Sequence, residues 1–124
     1  MTARAMLVAM LLAAPGAVFA CSCVGVSAYS DEAYLKDLFA RADAIVHAKV
    51  VSLVSKHEAR ISVLESFKGH PTVLKALEGD SAMCGTEFRA GEEAIYIAAA
   101  GRISLCSRLP VTPEILGRFR AYKR

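Results

Sequence analysis

Apolar and polar positions fall into blocks along this 124-residue chain. A long uncharged run comes first, and short stretches follow whose period switches between helix and strand. Tyr34, Leu35, Leu38, Phe39 and Ala42 recur at helical spacing, and Ser30 with Asp31 and Glu32 supplies an N-cap and an acidic first turn. The pattern predicts a helix over Asp31 to Arg41. Ala44 to Val54 is rich in β-branched residues, with Val46, Ala48 and Val50 on one face and Ile45, His47 and Lys49 on the other. This predicts a strand with a bulge near Val50 and Val51. Arg60 to Phe67 alternates through Ile61, Val63, Glu65 and Phe67, so Ser55 to Ala59 closes a hairpin. Gly69-His70-Pro71 is a turn leading into a short strand, Thr72 to Leu77.

Gly79 to Thr86 has turn composition and carries Cys84, which marks a loop tied covalently to another element and the best candidate for a functional loop. Glu93 to Ala99 and Arg102 to Ser107 read as a hairpin around Ala100-Gly101, and Thr112-Pro113-Glu114 starts a helix over Ile115 to Tyr122. The expected class is therefore α+β, mainly β: five strands with a helix at each end. Such strands are compatible with a partly open Greek-key barrel of the oligonucleotide-binding type (OB-fold), although composition does not choose that topology.

The first block has a different meaning. Arg4 is followed by the apolar run Ala5 to Ala14, Pro15-Gly16 interrupts it, and Val18-Phe19-Ala20 puts small residues where a signal peptidase reads. Residues 1 to 20 are predicted to be a cleaved secretory signal peptide, and residues 21 to 124 the mature domain. The run is shorter than the ~20 residues of a membrane-spanning helix. Lipoprotein processing is the rival, because Cys21 would be the first mature residue and a lipid acceptor. Phe19 opposes it, since the residue two before a lipidated Cys is normally small.

Removing residues 1 to 20 takes away Arg4 and leaves 14 Lys and Arg against 12 Asp and Glu. That near-neutral balance, without an aromatic stacking platform, excludes nucleic acid as the favoured partner. Four cysteines follow the export signal, an even set in an oxidising compartment, and two disulfides are expected. A Cys21–Cys23 bridge would close too tight a ring, so each of these pairs with Cys84 or Cys106. Loops of that length contribute about 4 kcal/mol each in the chain-entropy model, and a chain this small depends on such cross-links.

Other chemistry has little support. A metal site built from the cysteines with His47, His57 or His70 lacks the usual two-residue spacing between cysteine ligands. The chain has no Cys-x-x-Cys, Gly-x-Ser-x-Gly, His-Glu-x-x-His or phosphate loop, so no enzyme is expected, and no cofactor of its own. The histidines read as surface groups. Arg118, Arg120, Lys123 and Arg124 read as cations complementing a helix C-terminus, and Asp31, Glu32 and Asp37 as helix-surface charges.

Cys21-Ser22-Cys23-Val24, ADAIVHAKV from Ala42, ESFKG from Glu65, Ser81-Ala82-Met83-Cys84-Gly85 and ISLC ending at Cys106 share one order and spacing. Together they resemble the tissue inhibitors of metalloproteinases and the wider netrin-like domain, over residues 21 to 107. The resemblance implies the five-stranded barrel. It also implies that Cys21 pairs with Cys84 and Cys23 with Cys106.

It further implies a mechanism, in which the Cys21 α-amine and carbonyl oxygen chelate the catalytic zinc of a target metalloproteinase. Catalytic zinc keeps an open position, and a neutral amine beside a carbonyl fills it and displaces the attacking water. The amine's ordinary pKa of about 7.7 to 8.0 leaves a usable neutral fraction near neutrality. Ser22 would enter the target's specificity pocket. The inhibitory ridge would comprise Cys21, Ser22, Cys23, Val24, Ala82, Met83 and Cys84.

Several features depart from the animal inhibitors. Gly25 replaces a proline, and a third disulfide, the long hairpin between the first two strands and the C-terminal domain are missing. These bear on target affinity more than on fold. The expected protein is a secreted (extracellular or periplasmic), monomeric inhibitor of zinc metalloendopeptidases, touching a membrane only if Cys21 is lipidated. The alternative is a netrin-like protein-binding module without inhibitory activity.

Overall fold

The computed structural model describes residues 21 to 123; the predicted signal peptide and Arg124 lie outside them. The chain is α+β and mainly β. Six strands, β1 (Ala44–Ser55), β2 (Glu58–Lys68), β3 (Val73–Ala76), β4 (Glu93–Ala98), β5 (Arg102–Ile103) and β6 (Arg108–Leu109), form one sheet in the order β5-β3-β2-β1-β4-β6. Two helices accompany it, α1 (Glu32–Arg41) and α2 (Pro113–Lys123), with 3-10 turns at Val26–Ser30, Ser81–Met83 and Leu105–Ser107. All pairings are antiparallel except β3 with β5, and the sheet curls into a half-barrel. Ala99 and Arg102 exchange backbone hydrogen bonds of 3.0 and 3.1 Å, joining the end of β4 to β5.

β1 is central, paired to β2 on one side and to β4 on the other. Its period-two alternation sends Val46, Ala48 and Val50 into a cluster with Ala59, Ile61, Leu74, Phe88, Tyr96 and Ile103 inside the curl. Ile45, on the opposite face, joins Leu35, Leu38, Phe67, Ile95, Ile97, Ile115 and Phe119 under the two helices. A strand buried on both faces carries apolar residues at successive positions, as Ile45-Val46 does here.

The bulge expected near Val50 and Val51 is present: Val50 opposes Ile61 while Ser52 opposes Arg60, leaving Val51 extra. A second irregularity was not legible. His47 opposes Glu65 and Ala48 opposes Val63, so Leu64 is the extra residue on β2. It flips the face of the strand. Ile61 and Val63 therefore serve the inner cluster while Phe67 serves the helix-side cluster, instead of all sharing one face as their spacing predicts.

The predicted fifth strand, Arg102 to Ser107, is broken. β5 covers only Arg102–Ile103, a 3-10 turn holds Leu105–Ser107, and β6 resumes at Arg108. The turn bends the chain so that Cys106 reaches the N-terminal segment. Ala100 and Gly101 both adopt positive φ, 52° and 75°, as a two-residue hairpin turn of this hand requires.

The cap of α1 differs by one residue from expectation, while α2 starts where Thr112-Pro113-Glu114 placed it. Asp31, not Ser30, caps α1 by accepting a 3.0 Å bond from the Ala33 amide, while the Ser30 hydroxyl donates to the Ser27 carbonyl. Thr112 caps α2, its hydroxyl accepting from the Ile115 amide at 3.2 Å. At the other end of α2, Arg120 makes a bidentate pair with Glu65 on β2, with contacts of 2.6 to 3.0 Å, and the Lys123 ammonium donates to the Ser66 carbonyl at 2.7 Å. These cations thus dock the helix on the sheet as well as complementing its dipole.

Phe119, fully buried, lies edge-on to Tyr29 and Phe39 and tilted against Phe67, with ring centroids 5.4 to 6.0 Å apart. Phe119→Ala is expected to destabilise the domain by about 3 to 5 kcal/mol, measured by denaturant unfolding. The Arg120 guanidinium holds the Glu65 carboxyl below its usual value, chiefly through the hydrogen bond. A depressed carboxyl pKa contributes stability at neutral pH that disappears as the pH falls through it. Glu65→Gln should therefore melt below the wild type at pH 7, and the difference should vanish in strong acid. A difference independent of pH would contradict the assignment.

Candidate functional site

Residues 21 to 25 carry no regular secondary structure and run along the surface. Two disulfides hold them, Cys21–Cys84 and Cys23–Cys106, each with Cα atoms 5.1 Å apart and with sequence separations of 63 and 83. That is the pairing the resemblance implies. Among the described residues no cysteine is free. The N-terminal segment is thereby fixed to two loops at one end of the sheet.

The Cys84 loop is built to present its side chains. Asp80 opens the 3-10 turn Ser81–Met83: its carboxylate accepts from the Met83 amide at 3.0 Å, and its carbonyl accepts from the Gly85 amide at 3.0 Å. Cys84 closes the turn in the left-handed region, φ 64°. Gly85 is required by close approach, since a Cβ there would stand 2.1 Å from the Gly79 carbonyl oxygen. The Thr86 amide then bonds the Leu77 carbonyl at 3.0 Å and closes the loop at its base.

The predicted ridge residues occupy one disulfide-linked assembly at the surface. Ser22, Cys23, Val24, Ala82 and Met83 are exposed, Met83 to 70% and Val24 to 51%, while Cys21 and Cys84 are half-buried at the junction. Behind the segment lies a cleft of about 220 Å³ lined by Ser22, Cys23, Tyr29, Tyr34, Leu38 and Ile97, among others. Tyr29 is buried in its wall; burial, reinforced by the neighbouring Tyr34, pushes its phenol well above its ordinary pKa, so it stays protonated.

Two contributors were missed in the sequence. Leu105 is 38% exposed, and its amide donates to the Cys84 carbonyl at 2.9 Å, stitching the two cystine-bearing loops together. Arg108 spans the same loops from below. Its guanidinium donates to Glu92 and to the Thr86 hydroxyl at 3.0 Å each and to the Glu87 carbonyl at 2.7 Å, while Glu92 accepts from the Tyr96 phenol at 2.8 Å. Its Nε is buried without a hydrogen-bond partner among the described residues, but the group stacks 5.6 Å from the Phe88 ring centre. Arg108 lies just beyond the predicted strand Arg102 to Ser107, and nothing in the local pattern marked it.

The histidines stand elsewhere. His47 contacts Glu93 at 2.7 Å on the outer sheet face, His57 lies 3.8 Å from Glu78, and His70 is exposed in its turn. The sulfurs of Cys21, Cys84 and Cys106 do lie within 4.8 Å of one another, with no histidine among them. All are in disulfides, which lack the thiolate that zinc takes.

Both disulfides fit an extracellular protein, and no described helix is long and apolar enough to cross a membrane. Fold and site together define a small two-disulfide α+β domain whose N-terminal segment is fastened beside an exposed apolar loop. No family model, curated protein or solved structure matches the chain.

Gly85→Ala tests the loop. The added methyl meets backbone rather than a movable side chain, so a loss on the order of 2 kcal/mol or more in unfolding free energy is expected, together with slower or incomplete oxidation of Cys84. Unchanged stability would mean the loop relaxes freely.

Proposed function

We propose that this domain is a secreted, netrin-like inhibitor of zinc metalloendopeptidases, acting through the α-amine and carbonyl of Cys21. The observation that carries the reading is the Cys21–Cys84 bond, which fastens the first residue of the predicted mature chain to a loop presenting Met83 to solvent. A cystine at a chain terminus adds little to a core. It does fix the direction of the terminal amine and carbonyl, which is what chelation of a metal in another protein demands.

The strand order supports the barrel component of this reading. β1, β2, β3 and β5 follow one another through the sheet, the Ala99–Arg102 bridge joins β5 to the end of β4, and β4 returns to β1. An OB-fold-like Greek-key ring of five strands, with β6 as an addition beside β4, accounts for that order.

In the proposed complex the neutral amine and the carbonyl oxygen of Cys21 occupy the open position on the target's zinc and displace the water that would attack a substrate. Ser22 enters the adjoining specificity pocket. Val24, Ala82 and Met83 bury apolar area beside it. Rigidity from the two disulfides lowers the ordering cost of binding.

Chelation makes a sharp demand on the terminus. One alanine added before Cys21, or acetylation of its amine, is expected to abolish inhibition of a susceptible zinc endopeptidase while leaving both disulfides and the melting temperature unchanged, because neither change touches the core. Ser22→Gly should weaken inhibition with a melting temperature within about a degree or two of wild type. If the mature protein inhibits no member of a broad panel at micromolar concentration, or the alanine-extended form inhibits equally well, the chelation reading falls. A netrin-like protein-binding module then replaces it. A mass showing lipid on Cys21 would exclude the mechanism directly, since the thioether uses the sulfur that the Cys21–Cys84 bond needs.

A further inference from the structure

The two disulfides touch. The Sγ of Cys21, bonded to Cys84, lies 3.4 Å from the Sγ of Cys106, which is bonded to Cys23. Neither sulfur carries a hydrogen, so this is no hydrogen bond but van der Waals contact between two sulfurs in different disulfides. The four sulfurs thus form a bent row, Cys23–Cys106 against Cys21–Cys84, in which the Cys106 and Cys84 sulfurs also lie within 4.8 Å of each other. Exposure along the row is uneven: Cys23 is exposed, whereas Cys21, Cys84 and Cys106 are half-buried.

Thiol–disulfide exchange needs a thiolate adjacent to a disulfide sulfur, and its rate depends on access to the sulfur attacked. Cys106 is held by more than its disulfide. The Leu105 amide donates to the Cys84 carbonyl at 2.9 Å, the Ser107 amide to the Ser104 carbonyl at 3.0 Å, and the Ser104 and Ser107 hydroxyls share a 2.9 Å bond. If Cys23 is taken from it, Cys106 therefore keeps its place against Cys21.

We propose that Cys23 is a thiolation site, and that the row relays the exchange to Cys84. The co-reactant is a small-molecule thiol such as glutathione. Its thiolate attacks the Cys23 sulfur, forms a mixed disulfide there, and breaks the Cys23–Cys106 bond with the electron pair leaving on Cys106. The Cys106 thiolate attacks the Cys21 sulfur, forms Cys21–Cys106, and breaks Cys21–Cys84, with the pair leaving on Cys84. One thiolate enters and one leaves, two disulfides are present before and after, and nothing is oxidised or reduced overall. The product keeps the N-terminus attached through Cys21–Cys106 but frees the Cys84 loop from it. On the inhibitory reading, on which only this consequence rests, thiolation would switch the ridge off.

The folded wild-type protein is incubated with reduced glutathione without denaturant, quenched in acid, alkylated and mapped without reduction. The expected product carries glutathione on Cys23, a Cys21–Cys106 cross-link and an alkylated Cys84, in matching amounts. Alkylated Cys106 with Cys21–Cys84 intact would overturn the relay. So would glutathione first on Cys21 or Cys84, or no adduct on Cys23. In Cys23→Ser the released Cys106 thiol should share the alkylating label with Cys84, because Cys106 and Cys84 then compete for Cys21; label on Cys106 alone would equally overturn it. Neither map involves a protease, so a failed relay leaves the inhibitory reading standing, and a failed inhibition panel leaves the relay standing.

Discussion

β1 is buried on both faces where it starts, at Ala44, Ile45 and Val46, and the rest of the domain is arranged around that fact. Paired on both edges and covered on both sides, it needs a sheet that curls over one face and helices that close the other. The inner cluster around Val46, Ala48 and Tyr96 supplies the curl, and the outer cluster around Ile45, Ile95 and Phe119 seats α1 and α2. The extra residue at Leu64 reconciles these demands by letting one neighbouring strand feed both clusters. The outer face opens at Lys49, which is exposed, and beyond Val50 the strand runs out exposed on both faces.

The disulfides act at the margin of this core rather than in it. They attach the N-terminal segment to the two loops that leave β3 and β5, where the β-sheet hydrogen bonds have ended. Asp80, the close contact at Gly85, the Leu105 amide and the Arg108 network then hold those loops in place. Rigid backbone with outward side chains is the arrangement a recognition surface needs. Met83 and Val24 are left in water.

Placing two cystines in contact has a chemical consequence distinct from stapling. A separated pair would respond to a thiol independently, each according to its own exposure. A contiguous pair couples Cys23, the exposed cysteine of the four, to the loop that carries Met83. The same compactness that makes the ridge stiff makes its covalent state sensitive to the thiol content of its surroundings.

Local pattern alone was enough for the helices, the central strand, its bulge at Val51, the Ala100-Gly101 turn and the covalent attachment of the Cys84 loop to another element. Each depends on neighbours within a few residues, on periodicity, caps and turn-forming residues. The even cysteine set narrowed the cross-links but left two pairings open, and the choice between them came from the resemblance and from the folded chain. Tertiary structure alone decided the flip at Leu64, the break of the last strand at Leu105 and the roles of Arg108 and Arg120. The bulge at Leu64 interrupts an alternating stretch with no glycine or proline to mark it and follows what each face must bury; a strand breaks where a distant Cys23 has to be reached; and a cation's partner 16 or 55 residues away leaves no periodic trace.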